Sequence, residues 1–155
     1  YEMTSSLVGS EMCIRDSLSP DPYNTLTVPS SANSVITVGA YDAKTNTPAD
    51  FSGRGAASMP NLLTKPDLVA PGVSVIVPSF PGGYQTVSGT SFAAPFVTGS
   101  AALLMEWGIV RENNLFLYGE QLKAWLIAGA KELPGYPVPN PRTGWGALCL
   151  EAALR

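Results

Sequence analysis

Histidine is absent from this sequence of 155 residues, and that absence excludes a good deal of chemistry. The chain offers no imidazole to act as a general base near neutral pH, and no His-ligated zinc site can form. Cysteine is almost absent as well: Cys13 and Cys149 stand alone, without metal-ligand spacing, and are too few to indicate a redox compartment. Charge is sparse at 14%, the formal net charge is −3, and no basic run occurs. That argues against nucleic acid or an anionic membrane as a partner. No leader with a basic start and a long apolar core is visible, nor any internal repeat or low-complexity tract. Long apolar runs are missing too. The most apolar stretch is continuous only from Ala101 to Met105, closed by Glu106, whereas a membrane span needs roughly 20 apolar residues. Among what is present, 45% apolar residues give a chain of this length one domain with a real core, and 15 Gly and 14 Pro imply many turns.

The chain is organised around Val87 to Trp107, VSGTSFAAPFVTGSAALLMEW. Ser88, Gly89 and Thr90 form a loop that delivers the Ser91 hydroxyl onto the first turn of a helix. Free N–H groups at a helix N-terminus favour negative charge, so a nucleophile placed there has part of its oxyanion stabilisation built in. Gly89 permits the turn and leaves room for a second segment to approach. Pro95 removes one early helical hydrogen bond and predicts a kink in the first turn. The rest is apolar nearly all round, which predicts a helix buried on all sides. By themselves, Thr90 and Ser91 suit equally well the caps of an ordinary core helix.

Upstream, residues 1–17 show no useful periodicity and are read as foreign to the domain, a sequencing or assembly artefact; the domain is taken as 18–155. Thr25 to Val28 is β-prone. Ser34 to Ala40 reads as a buried strand from its β-branched content, Asp42 to Pro48 as a polar loop, and Phe51 to Gly55 as a glycine-bracketed turn. A strand closed by Pro71-Gly72 follows Lys65, another covers Val73 to Val77, and Tyr84 to Val87 leads into the central helix. Gly108 reads as its stop. A loop spans 109–118, a helix runs Gln121 to Ala130 with Leu122 and Leu126 inward, and a short helix closes the chain at Leu148 to Leu154. Strands mixed with packing helices argue an α/β layer fold.

Gly89-Thr90-Ser91-Phe92-Ala93-Ala94-Pro95 resembles the nucleophile motif of the subtilisin-like serine proteases, Gly-Thr-Ser-x-Ala-x-Pro. VPSSANSVITVGA, the Phe51-Ser52-x-x-Gly55 turn, KPDLVAPG and the closing GWGALCLEAAL are similar to that family in the same order, with a flavour of subtilases from spore-forming Firmicutes, germination proteases among them. The resemblance implies the C-terminal half of a parallel-sheet, three-layer α/β fold, with a buried central helix starting at the nucleophile. It implies Ser91 as nucleophile, its backbone N–H as an oxyanion donor, and Thr90 beside the oxyanion. Phe51 and Val87 would line leaving-group subsites, with Gly89 beside the substrate, and Thr27 and Ser30 would sit near the primary specificity pocket. Asp67 aligns with a position that serves a weak cation site in some relatives; a solvent-facing or capping carboxylate is the plainer expectation. Phe96 stands where the family often has a non-catalytic His.

In this family Asp and His precede Ser, so both would lie upstream of residue 1. The oxyanion Asn would fall by spacing within residues 1–17, where no Gly-Asn occurs. The chain is thus expected to be part of a serine endopeptidase that acts through a Ser acyl-enzyme, inactive alone. The alternative is part of a catalytically dead relative that binds or senses. The expected partners are a protein or peptide substrate and the missing N-terminal half, with no nucleic acid and no membrane. No cofactor is required and no metal ligand is assigned; a structural calcium in the parent is compatible but finds no site in these residues. A secreted and a spore-associated parent fit equally. Alone, half a parallel sheet would leave a strand edge and one face of the central helix uncovered, both of which favour aggregation.

Overall fold

A computed structural model describes residues 23, 25–55 and 64–154; the 1–17 segment lies outside these. Among the described residues, five strands and three α-helices follow in chain order: β1 (Val38–Asp42), β2 (Thr47–Pro48), β3 (Leu68–Pro71), β4 (Val75–Pro78), β5 (Tyr84–Val87), α1 (Thr90–Met105), α2 (Gly119–Ala128) and α3 (Leu150–Ala153).

β1 and β3 are parallel neighbours in register Val38↔Leu68 through Tyr41↔Pro71. β2 folds back antiparallel on β1, giving the order β2-β1-β3. On its other side β3 is bonded by the chain's closing segment: Val69 N–H donates to the Gly146 carbonyl at 2.9 Å, and Leu148 N–H to the Val69 carbonyl at 2.8 Å. Alternation along β3 splits the core in two. Leu68 and Ala70 face α1 and join Ala93, Val97, Leu104, Leu122 and Leu126. Val69 points the other way, under Leu133 and Ala147. The helices and the closing segment therefore sandwich the parallel pair, an α/β layering. β4 and β5 form a separate antiparallel ribbon, Val75↔Val87 to Pro78↔Tyr84, that leads straight into α1.

Several expectations are corrected. The first strand starts at Val38, not Ser34, because side chains take over the backbone bonding before it: Thr37 N–H donates to the Asp67 carboxylate at 2.6 Å. Thr25 to Val28 forms no strand. Thr25 exchanges hydrogen bonds with Arg54 instead, N–H to carbonyl at 2.9 Å and Arg54 N–H to the Thr25 hydroxyl at 2.9 Å. The polar loop after Asp42 conceals the short hairpin partner β2. Gly108 does not stop the helix. A π-helical turn, Glu106–Val110, carries the chain through it, and Gly108 is buried where a Cβ would stand 2.7 Å from Leu117 Cδ2.

The largest difference concerns α1. Only Ala93, Val97 and Leu104 are buried, a single stripe spaced by four and seven residues that packs on β1 and β3. Phe96, Leu103 and Met105 are exposed. Thr90–Val110 is, among the described residues, the one helical stretch long and apolar enough to cross a membrane by length and composition, with a mean hydropathy of 1.3. Its buried stripe is packed on the sheet, and its outer face lies open. Ring stacking of Trp107 on Trp125, 5.5 Å between centroids, and burial of Leu122 and Leu126 fix α2 against the end of α1.

Candidate active site

Ser91 is the second residue of α1 and is exposed. Gly89 precedes the helix with φ 157° and ψ 154°, a combination essentially confined to glycine. Its carbonyl accepts the Phe92 N–H at 3.1 Å. No side chain caps the helix and its first turn holds no acid. The N–H groups of Thr90 and Ser91 thus lie ahead of the first helical hydrogen bond, at the positive end of a 16-residue helix. Pro95 has no N–H with which to bond the Ser91 carbonyl four residues back.

The loop in front of Ser91 is tied to the turn between β3 and β4. Gly89 N–H donates to the Gly72 carbonyl at 2.8 Å, and Ser74 N–H donates to the Ser88 hydroxyl at 2.9 Å. Pro71-Gly72 is thereby more than a strand stop: it anchors the loop that carries Ser91.

A cavity of about 390 Å³ opens beside Ser91. Thr25, Thr27 and Ser30 belong to one wall, residues 35–38 to another, and Thr90, Ser91 and Ala94 to the helix side. Among the described residues no charged side chain lines it. Short local bonds shape the walls. The Ser30 hydroxyl donates to the Thr27 carbonyl, and the Thr37 hydroxyl donates to the Ser30 carbonyl.

Of the residues singled out from the sequence, Thr27, Ser30, Thr90 and Ser91 meet around this one cavity. Phe51, Val87 and Gly89 are not part of its lining. Phe51 packs, partly buried, against the main core, Val87 ends β5 opposite Val75, and Gly89 is held by Gly72. Thr25, Ile36, Thr37 and Ala94 join the cavity without having been anticipated. Ala94 could have been found from Ser91 by helical spacing, since three residues on is the same face. The contribution of Thr25 depends on its pairing with Arg54, for which the sequence carries no local signal.

Asp67 is neither solvent-facing nor a cap. It is 2% exposed, with Oδ2 at 2.7 Å from Lys65 Nζ and Oδ1 at 2.8 Å from Lys123 Nζ. Burial pushes the Lys65 ammonium below its usual pKa, an effect that the Asp67 carboxylate opposes and Lys123 reinforces. Among the described residues no group of three His, Cys, Asp or Glu side chains could hold a metal ion.

The subtilase family model matches residues 17–146. The chain is similar to the CspB protease of Clostridium perfringens, with a TM-score of 0.83 and 48% identity over 88% of this chain and 30% of that one. It is 38% identical to the human membrane-bound transcription factor site-1 protease over 117 residues, 73% of this chain and 11% of that protein. It is 41% identical to the PII-type proteinase of Lactococcus lactis subsp. cremoris over 75 residues, 48% of this chain and 4% of that protein. The chain therefore spans less than a third of the length of each of these relatives.

Proposed function

The chain belongs to the subtilase family, and from that premise we propose that it carries the nucleophile of a serine endopeptidase acting on protein or peptide substrates. The observation that carries the reading is the placement of Ser91: exposed, on the first turn of α1, at the rim of the uncharged cavity. Ser91 Oγ attacks the scissile carbonyl. The developing oxyanion lies near the Ser91 N–H, at a helix end that favours negative charge. The cavity takes the substrate side chain that precedes the cleaved bond, with Thr27 and Ser30 on its wall; Phe51 and Val87 serve the leaving-group side.

The chemistry needs a base to take the Ser91 proton, and these 155 residues hold no histidine. The acid, the base and the side-chain oxyanion donor therefore come from another part of the catalytic domain. The open face of α1, with Phe96, Leu103 and Met105 exposed, supports a seat for that part. On its own the chain cleaves nothing.

A fluorophosphonate probe tests the reading. The 155-residue chain alone stays unlabelled, whereas the longer protein that contains it is labelled stoichiometrically at Ser91. Labelling of the isolated chain would sink the claim of dependence. A folded longer protein that fails to label would sink the claim of catalysis and favour a relative that binds without cleaving.

A further inference from the structure

Two ammonium groups meet behind the cavity wall. Lys65 Nζ donates to the Val35 carbonyl at 2.8 Å, to the Thr37 hydroxyl at 3.0 Å and to Asp67 Oδ2 at 2.7 Å. Lys123 Nζ, arriving from α2, donates to the Asn33 carbonyl at 2.8 Å and the Val35 carbonyl at 3.0 Å, and pairs with Asp67 Oδ1 at 2.8 Å. An ammonium has three N–H donors, and each of these two finds three acceptors. The Val35 carbonyl is gripped by both.

The segment so gripped is the wall itself. Residues 35–38 line the cavity beside Ser91. Residues 33–37 precede β1 and have no strand partner. Charged side chains hold much of their backbone, the Asn33 and Val35 carbonyls by the lysines and the Thr37 N–H by Asp67, while the Thr37 carbonyl accepts the backbone N–H of Asp67 at 2.8 Å. Thr37 passes the constraint to Ser30 on the facing side through its hydroxyl. Two ammonium groups against one carboxylate leave an excess of one positive charge behind a wall that presents no charged side chain of its own.

We infer that Lys65 and Lys123 are positioning residues that clamp the Asn33–Thr37 segment, whose Val35–Thr37 part lines the cavity, from behind, setting the width of the cavity and biasing it toward uncharged and against cationic substrate side chains. This rests on the reading of Ser91 as nucleophile and of the cavity as a substrate pocket. Lys123 is the better handle, because it reaches the cluster from a helix surface and its side chain is 12% exposed, whereas Lys65 is buried within the fold.

The test uses the longer protein that contains this chain, as wild type, Lys123→Met and Lys123→Arg. Paired peptides differ only in the residue before the cleaved bond, leucine in one and lysine in the other. Lys123→Met is expected to raise KM for the leucine peptide with little change in kcat. It is expected to shift the leucine-to-lysine ratio of kcat/KM toward lysine by at least about tenfold, the scale of a lost charge-assisted hydrogen bond. Lys123→Arg should keep most of the wild-type ratio. A variant that melts earlier but keeps the wild-type ratio and KM would overturn the inference. Amide exchange at Thr37 reads the clamp without catalysis. Faster exchange in Lys123→Met, kept slow in Lys123→Arg, supports it even if Ser91 proves unreactive, and unchanged exchange overturns it whatever Ser91 does.

Discussion

Gly72 and Gly89 are joined backbone to backbone: the Gly89 N–H donates to the Gly72 carbonyl at 2.8 Å. A Cβ on Gly72 would stand 3.0 Å from the Gly89 carbonyl oxygen and 2.6 Å from Ala40 Cβ. Gly72→Ala must therefore push the Ser91 loop away from β1 or strain both. The expected cost is about 1–3 kcal/mol, the usual scale of overpacking, read by denaturant unfolding. In the longer protein that contains this chain, a fall in the rate of Ser91 phosphonylation, larger than the stability loss explains, should accompany it.

Asp67 is, among the described residues, the carboxylate paired with both the buried Lys65 and the largely buried Lys123 ammonium. Removing one partner of a buried pair leaves uncompensated charge and costs roughly 3–5 kcal/mol. Asp67→Ala should show a destabilisation on that scale in chemical denaturation, far beyond Asp50→Ala. Asp50 is exposed and meets Arg142 only at 3.9 Å, the kind of surface pair that contributes little.

Tyr41 supplies a pH dependence. Its phenol is pushed above the ordinary value of 10.0, first by burial and then by the neighbouring Cys149 thiolate. Above about pH 10 the unfolded chain gives up that proton while the folded chain still holds it, so stability falls as pH rises through that range. Lys65, shifted down from 10.5, acts in the opposite direction. There the unfolded state keeps a proton that the folded state has released, so stability rises with pH between its lowered value and 10.5. Tyr41→Phe isolates the first effect. Its stability relative to wild type should climb with pH above about 10 and stay constant below it, in urea titrations at stepped pH.

The open face of α1 predicts a solubility change. Leu103 is 53% exposed and Phe96 43%, so replacing them with polar residues removes no buried contact; surface changes of this kind usually stay within about 0.5 kcal/mol. Leu103→Gln with Phe96→Ser should make the isolated chain less prone to aggregate in light scattering at unchanged thermal midpoint. In the longer protein the same pair should lower activity or yield, because the face is then covered.

What could be read in the sequence was chiefly what depends on local pattern. β4 overlaps the strand read at Val73 to Val77, and α1 starts at the Thr-Ser pair that follows Gly89. α2 brings Leu122 and Leu126 inward as their spacing of four requires. What escaped depends on partners distant in the chain. Thr37 leaves the strand because Asp67, 30 residues on, bonds its N–H. The apolar composition of α1 signals burial but cannot say which part of a protein supplies the cover, so only one stripe is buried here. Gly108 looks like a stop from its residue type, and only the approach of Leu117 shows why a glycine continues the helix there. At the cavity, Ser91, Thr90, Thr27 and Ser30 are residues that motif order singles out and the fold brings together. The lysines behind the wall were not, since Lys123 lies 90 residues from the carbonyl of Asn33 that it binds.

That long reach also orders events during synthesis. A ribosome makes Ser91 before it makes Lys123, and chains fold progressively from their N-terminal end as they emerge. A nascent chain halted between the two carries Ser91 and a half-held wall, with the Asn33 carbonyl still waiting for its ammonium. On the proposed reading, the pocket takes its final width only when α2 docks, after the segment that carries Ser91 has been made.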